Sequence, residues 1–201
     1  MLIESTASQL VLIDLQTKLL PAMHESSLVL ANAVRLVQAA RMMRVPVTVT
    51  EQYPEGLGHT VPELAEFARE PLVKLAFSAV DEGLIEHLNE IGTPKVSPNA
   101  KSVPKHLRAA QNSRVNERSE IIIAGIEAHV CVLQTVMGLL DDFDVFVVTD
   151  ACASRTERNR DAAYDRLAAE GASLVTTEME LFEWLKSAEH EQFKAIQALI
   201  K

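Results

Sequence analysis

Two hydrophobic rhythms alternate along the chain. Short, nearly unbroken apolar runs stand at 10–14 (LVLID), 45–50 (VPVTVT), 71–77 (PLVKLAF), 120–126 (EIIIAGI), 144–150 (DVFVVTD) and 172–177 (ASLVTT). Their length and their content of Val, Ile and Thr predict strands. Between them, apolar residues recur at helical spacing over 29–44, 82–92, 129–142 and 158–171, with Gly92 and Gly171 placed to end two of these helices. Amphipathic segments follow at 178–188 and 191–200. Regular strand–helix alternation predicts parallel strands joined by crossover helices, and runs such as 121–123 suit a sheet covered on both faces. The expected fold is α/β: one three-layer α/β/α domain over residues 1–201, with a mainly parallel six-stranded sheet of Rossmann-like topology.

One segment breaks the rhythm. Residues 93–118 begin rich in Pro and Ser and end polar and basic. The stretch is far longer than an ordinary helix-to-strand connection and reads as an insertion, its second half helical from near Pro104. Such connections lie at the amino edge of a parallel sheet, whereas ligands bind at the carboxyl edge. Oligomer contact is therefore the expected use of the insertion.

The formal net charge of −9 argues against a nucleic-acid partner, which would need a basic face. Only two cysteines occur, Cys131 and Cys152, without metal-knuckle or disulfide spacing, which fits a reducing compartment. The opening residues lack the basic region of a signal peptide, and no uncharged stretch is long enough to span a bilayer. These features predict a soluble, cytoplasmic protein with no membrane partner. The GLG at 56–58 lacks the spacing of a nucleotide-binding loop.

Three residues share a geometric address. Asp14 ends the first strand, Lys74 lies in the third, and Cys131 follows the fourth and opens a helix. Strand ends of a parallel sheet line one edge, so the three side chains can meet in one crevice. A helix start and an ammonium favour a thiolate, while a carboxylate opposes it yet can take the thiol proton and return it to a leaving amine. Backbone N–H groups around GIEAHVC (125–131) could then hold an oxyanion. Composition leaves other readings open. Cys131 could be a buried small hydrophobe and Lys74 a snorkelling edge lysine. Cys152 reads as a packed small residue. His24, His59, His87, His106 and His190 read as surface or satisfied histidines, while His129, two residues before Cys131, is a candidate pocket neighbour.

Six stretches together carry a family resemblance: LIDLQ (12–16), TEQYPEGLG (50–58), KLAFSAV (74–80), GIEAHVCVLQT (125–135), VTDACASR (148–155) and TTEMELFEWL (176–185). The chain resembles the isochorismatase-like cysteine hydrolases, in particular the isochorismatase domain-containing branch marked by TEQYP and GIEAHVC. The resemblance implies a catalytic Asp-Lys-Cys triad at Asp14, Lys74 and Cys131. It also implies a cis peptide at Ile126–Glu127, an oxyanion hole from the backbone N–H groups of Glu127 and Cys131, and a pocket lined by Gln16, Tyr53, Phe77, Ser78 and His129. Homo-oligomerisation is implied as well. Nicotinamidases of this superfamily hold zinc with an Asp-x-His pair and a later histidine. Here Glu51 and Tyr53 occupy the pair, and a tyrosine is a poor zinc ligand, so no metal and no cofactor are expected.

The expected function is metal-independent hydrolysis of a C–N bond in a small amide-type substrate through a thioester on Cys131. The alternative is an oligomeric scaffold or regulatory protein of the same fold with a vestigial site.

Overall fold

A computed structural model describes residues 2–92 and 118–201. Except for Arg118, the segment at 93–118 and its expected helix lie outside the described residues. Among these residues, six strands form one sheet: β1 (Ser8–Ile13), β2 (Val47–Gln52), β3 (Leu72–Lys74), β4 (Glu120–Ile126), β5 (Asp144–Ala153) and β6 (Ser173–Val175). Their order is β3-β2-β1-β4-β5-β6, and every neighbouring pair is parallel. The helices are α1 (Ser26–Met43), α2 (Pro54–Leu57), α3 (Leu84–Gly92), α4 (Leu133–Leu139), α5 (Glu157–Ala169), α6 (Thr177–Leu185) and α7 (Phe193–Leu199). None is long and apolar enough to cross a membrane.

The two-residue period of the strands builds two cores. Leu10, Leu12, Ile122 and Ala124 face α1, α6 and α7, where they meet Leu36, Val37, Leu181, Trp184 and Ile196. Val11, Ile13, Ile121 and Ile123 face the other way, onto Leu84 and Leu88 of α3, Val136 and Leu139 of α4, and Leu167 of α5. This is the three-layer arrangement that the unbroken apolar runs predict. The strand order reverses beside β1, and sheets of this kind bind ligands beyond the carboxyl ends of the strands at such a switch point, here β1 and β4.

Four boundaries differ from the sequence reading, each for a local reason. β3 spans three residues rather than the whole of 71–77. Past Lys74 the carbonyls of Ala76 and Phe77 turn towards the Lys74 ammonium (3.3 and 3.0 Å), and the N–H groups of Leu75 and Ala76 donate to Glu82. β5 runs on to Ala153 because it detours: Ile123 pairs with Val147, but Gly125 pairs with Cys152. Within the detour, Val148 pairs with Val175 of β6, and the Tyr164 hydroxyl donates to the carbonyls of Thr149 and Cys152. The helix expected over 129–142 begins as a π turn, Ala128–Val132, in which the Glu127 carbonyl accepts from Val132 N–H at 3.2 Å. Gly92 is part of α3 rather than a residue beyond it.

Gly125 has a structural reason to be glycine. It holds φ at 130°, and a Cβ there would stand 2.1 Å from the Ile13 carbonyl oxygen. Only a bare backbone lets β1 and β4 approach so closely just below the crevice.

Candidate active site

The strand order sets the candidate residues side by side. β3 delivers Lys74, β2 delivers Thr50 and Gln52, and β1 ends at Asp14; the turn after β4 delivers Cys131. Asp14 leaves its strand in a left-handed conformation, φ 52°. The Lys74 Nζ lies 2.8 Å from Asp14 Oδ2, and both side chains are fully buried. Thr50 Oγ1 donates to Asp14 Oδ1 at 2.6 Å and accepts from the Asp14 N–H at 3.3 Å. The ammonium also donates to Gln52 Oε1 (2.7 Å) and to the Phe77 and Ala76 carbonyls. Every one of these neighbours is an acceptor, as a buried cation requires.

Cys131 is 5% exposed and is the fourth residue of the π turn, not the first of a helix. Its thiol is pushed up to about 12, first by burial and then by the Asp14 carboxylate, with Lys74 pulling in the opposite direction. The sequence reading expected a helix start and the ammonium to favour the thiolate. Burial outweighs the ammonium, so the resting group is a thiol, with Asp14 beside it.

The structure brings Asp14, Lys74 and Cys131 together, while the remaining candidates make contacts of their own. The Ile126–Glu127 peptide bond is cis, and the Glu127 carboxylate takes a contact from Arg155 Nε at 3.0 Å. Gln16, just beyond β1, ties the end of β2 to the turn after α2: its amide donates to the carbonyls of Gln52 and Gly58 and accepts from the Gln52 N–H. Tyr53 and Phe77 are about half exposed. The Tyr53 ring lies over Gly56, where a Cβ would meet it at 2.2 Å. Ser78 Oγ accepts from Val80 N–H, and His129 contacts Ser154 Oγ through Nδ1 (2.9 Å) and Asn159 through Nε2. Cys152 is buried against the Ile123 carbonyl, and burial pushes its thiol up to about 12.

The donor set does not suit the zinc that the nicotinamidases carry. Glu51 accepts from Thr60 N–H and Oγ1 on one oxygen and meets His59 Nδ1 at 3.0 Å on the other. Burial raises the Glu51 carboxyl, but these hydrogen bonds outweigh it and hold the group below its ordinary range. Tyr53 supplies no imidazole, and among the described residues no three His, Cys, Asp or Glu side chains gather as a metal would need.

Sequence reasoning passed over Thr50 and Gln52. A signal was present: in TVTEQ, Thr48, Thr50 and Gln52 share one side of a strand, and all three are buried. Polar side chains at the carboxyl end of an interior parallel strand point into the crevice region.

A doubly wound parallel sheet with a carboxylate, an ammonium and a thiol buried together at its switch point defines a Rossmann-like α/β protein equipped for polar chemistry. The isochorismatase domain model matches residues 8–179, and the chain belongs to that family, whose fold is that of isochorismatase-like hydrolases. Isochorismatase domain-containing protein 2 of Danio rerio is 35% identical over 199 residues, covering 98% of this chain and 89% of that protein. Among solved structures, the MAR1 ribonuclease of Caenorhabditis elegans is 33% identical with a TM-score of 0.76, covering 100% of this chain and 92% of that one. YcaC of Pseudomonas aeruginosa, solved with hexane-2,5-diol and covalent acrylamide, is 26% identical with a TM-score of 0.72, covering 98% and 91%.

Proposed function

We propose that this chain is a cysteine-dependent hydrolase that cleaves a C–N bond in a small amide-type substrate, with Cys131 as nucleophile, Asp14 as proton shuttle and Lys74 as charge anchor. The observation that carries the reading is the fully buried Asp14–Lys74 pair, 2.8 Å apart, acting on the Cys131 thiol. Burying two charges is costly, and the fold does so beside its one thiol at the switch point. Asp14 takes the thiol proton as sulfur attacks the substrate carbonyl. The backbone N–H groups of Glu127 and Cys131 hold the oxyanion. Asp14 returns the proton to the departing nitrogen, and ammonia or an amine leaves a thioester. Asp14 then deprotonates water, which attacks the thioester; the C–S bond breaks, the acid leaves, and Asp14 returns the proton to sulfur to restore the free thiol. Lys74 balances the negative charge throughout. Tyr53, Phe77, Ser78 and His129 border the entrance, and the residues require neither metal nor cofactor for these steps.

The covalent acrylamide found with YcaC supports the reading, because thiols add to acrylamide. The MAR1 relative is titled a ribonuclease. In this chain a net charge of −9 and a buried thiol suit a small uncharged carbonyl compound better than RNA. The expected setting is a cytoplasmic homo-oligomer, with the 1–201 chain acting as one domain and no nucleic-acid or membrane partner.

The test is a panel of small amides scored for ammonia or amine release, with a short RNA as a further arm and mass spectrometry to trap the acyl-enzyme on Cys131. Wild type should release amine and carry the added acyl mass, and Cys131→Ala should do neither. A folded Cys131→Ala protein that retains amidase activity overturns the assignment. Cleavage of the RNA alone, by wild type and Cys131→Ala alike, would move the function elsewhere. An inert wild type would favour the vestigial scaffold.

A further inference from the structure

Asp14 has two oxygens in unlike surroundings. Oδ1 receives the Thr50 hydroxyl at 2.6 Å. Oδ2 is buried and lies 2.8 Å from the Lys74 ammonium, whose hydrogen bonds are directed at Gln52 Oε1 and the Ala76 and Phe77 carbonyls. The hydroxyl has a single proton, and its oxygen accepts the Asp14 N–H at 3.3 Å, so both of its roles are directed at one residue. Thr50 is fully buried on β2, the strand lying between β1, which ends at Asp14, and β3, which carries Lys74.

Resting on the hydrolase reading above, we infer that Thr50 is a positioning residue: it occupies Oδ1 of Asp14 and so directs the Cys131 proton to Oδ2, beside Lys74. In the transfer the S–H bond breaks and an O–H bond forms on Oδ2, leaving a thiolate, a neutral carboxylic acid and the ammonium. Net charge is unchanged, and the Thr50 hydrogen bond to Oδ1 persists in both states. A hydrogen bond of this kind is stronger to a carboxylate than to a carboxylic acid. The other ionisable groups facing this pair are Lys74 on β3, Cys131 after β4, and Glu82, whose carboxylate caps Leu75 and Ala76 within the field of Lys74.

The test needs no substrate. The rate of Cys131 alkylation by iodoacetamide is followed by mass spectrometry from pH 4 to 10 in wild type, Thr50→Val, Thr50→Ser and Asp14→Asn. Wild type should show an acid-side step, where Asp14 becomes able to take the thiol proton, and Asp14→Asn should lack it. Thr50→Val keeps the shape and removes the donor. Its step should move up by about one pH unit, the size expected for one lost hydrogen bond to a charged acceptor. Thr50→Ser should restore the wild-type profile. If Thr50→Val does not fold, Thr50→Ala takes its place with the same expected shift. A Thr50→Val profile that superimposes on wild type, or a shift that serine fails to reverse, overturns the role of Thr50 while leaving the hydrolase reading intact. Absence of any acid-side step in wild type overturns both.

Discussion

Asp14 and Glu180 are both fully buried carboxyl groups, one at the carboxyl edge of the sheet and the other on α6 near its amino edge. Asp14 faces an ammonium at 2.8 Å and a hydroxyl at 2.6 Å. Among the described residues neither oxygen of Glu180 has a hydrogen-bond partner, and burial, then Glu183 and Glu120, push its carboxyl up to about 9. At the amino edge the fold tolerates a carboxyl group by keeping it neutral. At the carboxyl edge it surrounds one with a cation and donors. Only the second arrangement sets a carboxyl group beside a cation and a thiol, so burial alone does not mark a site.

The largest way to break this contrast is to widen the carboxyl edge. Gly125→Ala would push a Cβ into the Ile13 carbonyl at a φ of 130°. The expected loss is about 4 kcal/mol or more, seen as a collapse of soluble yield or of the urea midpoint. Next comes Lys74→Met, which leaves Asp14 buried without its counter-charge and should cost about 3–5 kcal/mol. Adding Asp14→Asn should recover part of that loss in urea melts, and strict additivity would show that the pair is not coupled.

The amino edge gives a smaller, pH-dependent effect. The folded Glu180 carboxyl titrates near 9 against an ordinary value of 4.5. Between these values the folded state holds a proton that the unfolded state has released. Stability from this group is therefore full below about pH 4.5 and declines as pH rises through the folded value, by up to about 1.4 kcal/mol per unit. Glu180→Gln should flatten that slope in urea titrations at pH 6 and 8, and an unchanged slope would place the titration elsewhere. The smallest expected effect touches neither edge's carboxylate. Thr156 accepts from Asn159 N–H at the start of α5, and Thr156→Ala should cost about 1 kcal/mol in thermal melts while leaving Cys131 alkylation unchanged.

Much of the carboxyl edge was legible along the chain. LVLID, the lysine of PLVKLAF and the cysteine of GIEAHVC sit where strands end, and a parallel sheet brings strand ends to one edge. The six stretches of family resemblance pointed to the same three residues, and the fold and the family are those the sequence reading expected. The balance of forces on the thiol was less legible, because a helix start and a lysine are visible in the sequence whereas desolvation is not. Glu180 was invisible for a similar reason: in EMELFEWL it reads as one of several acids on an amphipathic helix, and only the packing of α6 against α1 and β5 makes it the buried one.

The sequence by itself determined the alternation of strands and helices, the two apolar faces of each strand and the chemical kinds of group present, since these follow from residue type and spacing. Tertiary structure decided what those groups became. The order β3-β2-β1 placed Thr50 and Gln52 between an aspartate and a lysine that are 60 residues apart in the chain. The detour of β5, the π turn at Ala128–Val132 and the bare backbone of Gly125 shape the end of β4 and the turn that carries Cys131. These are properties of strand pairing and solvent exclusion, which arise only when segments distant in sequence share one low-dielectric interior.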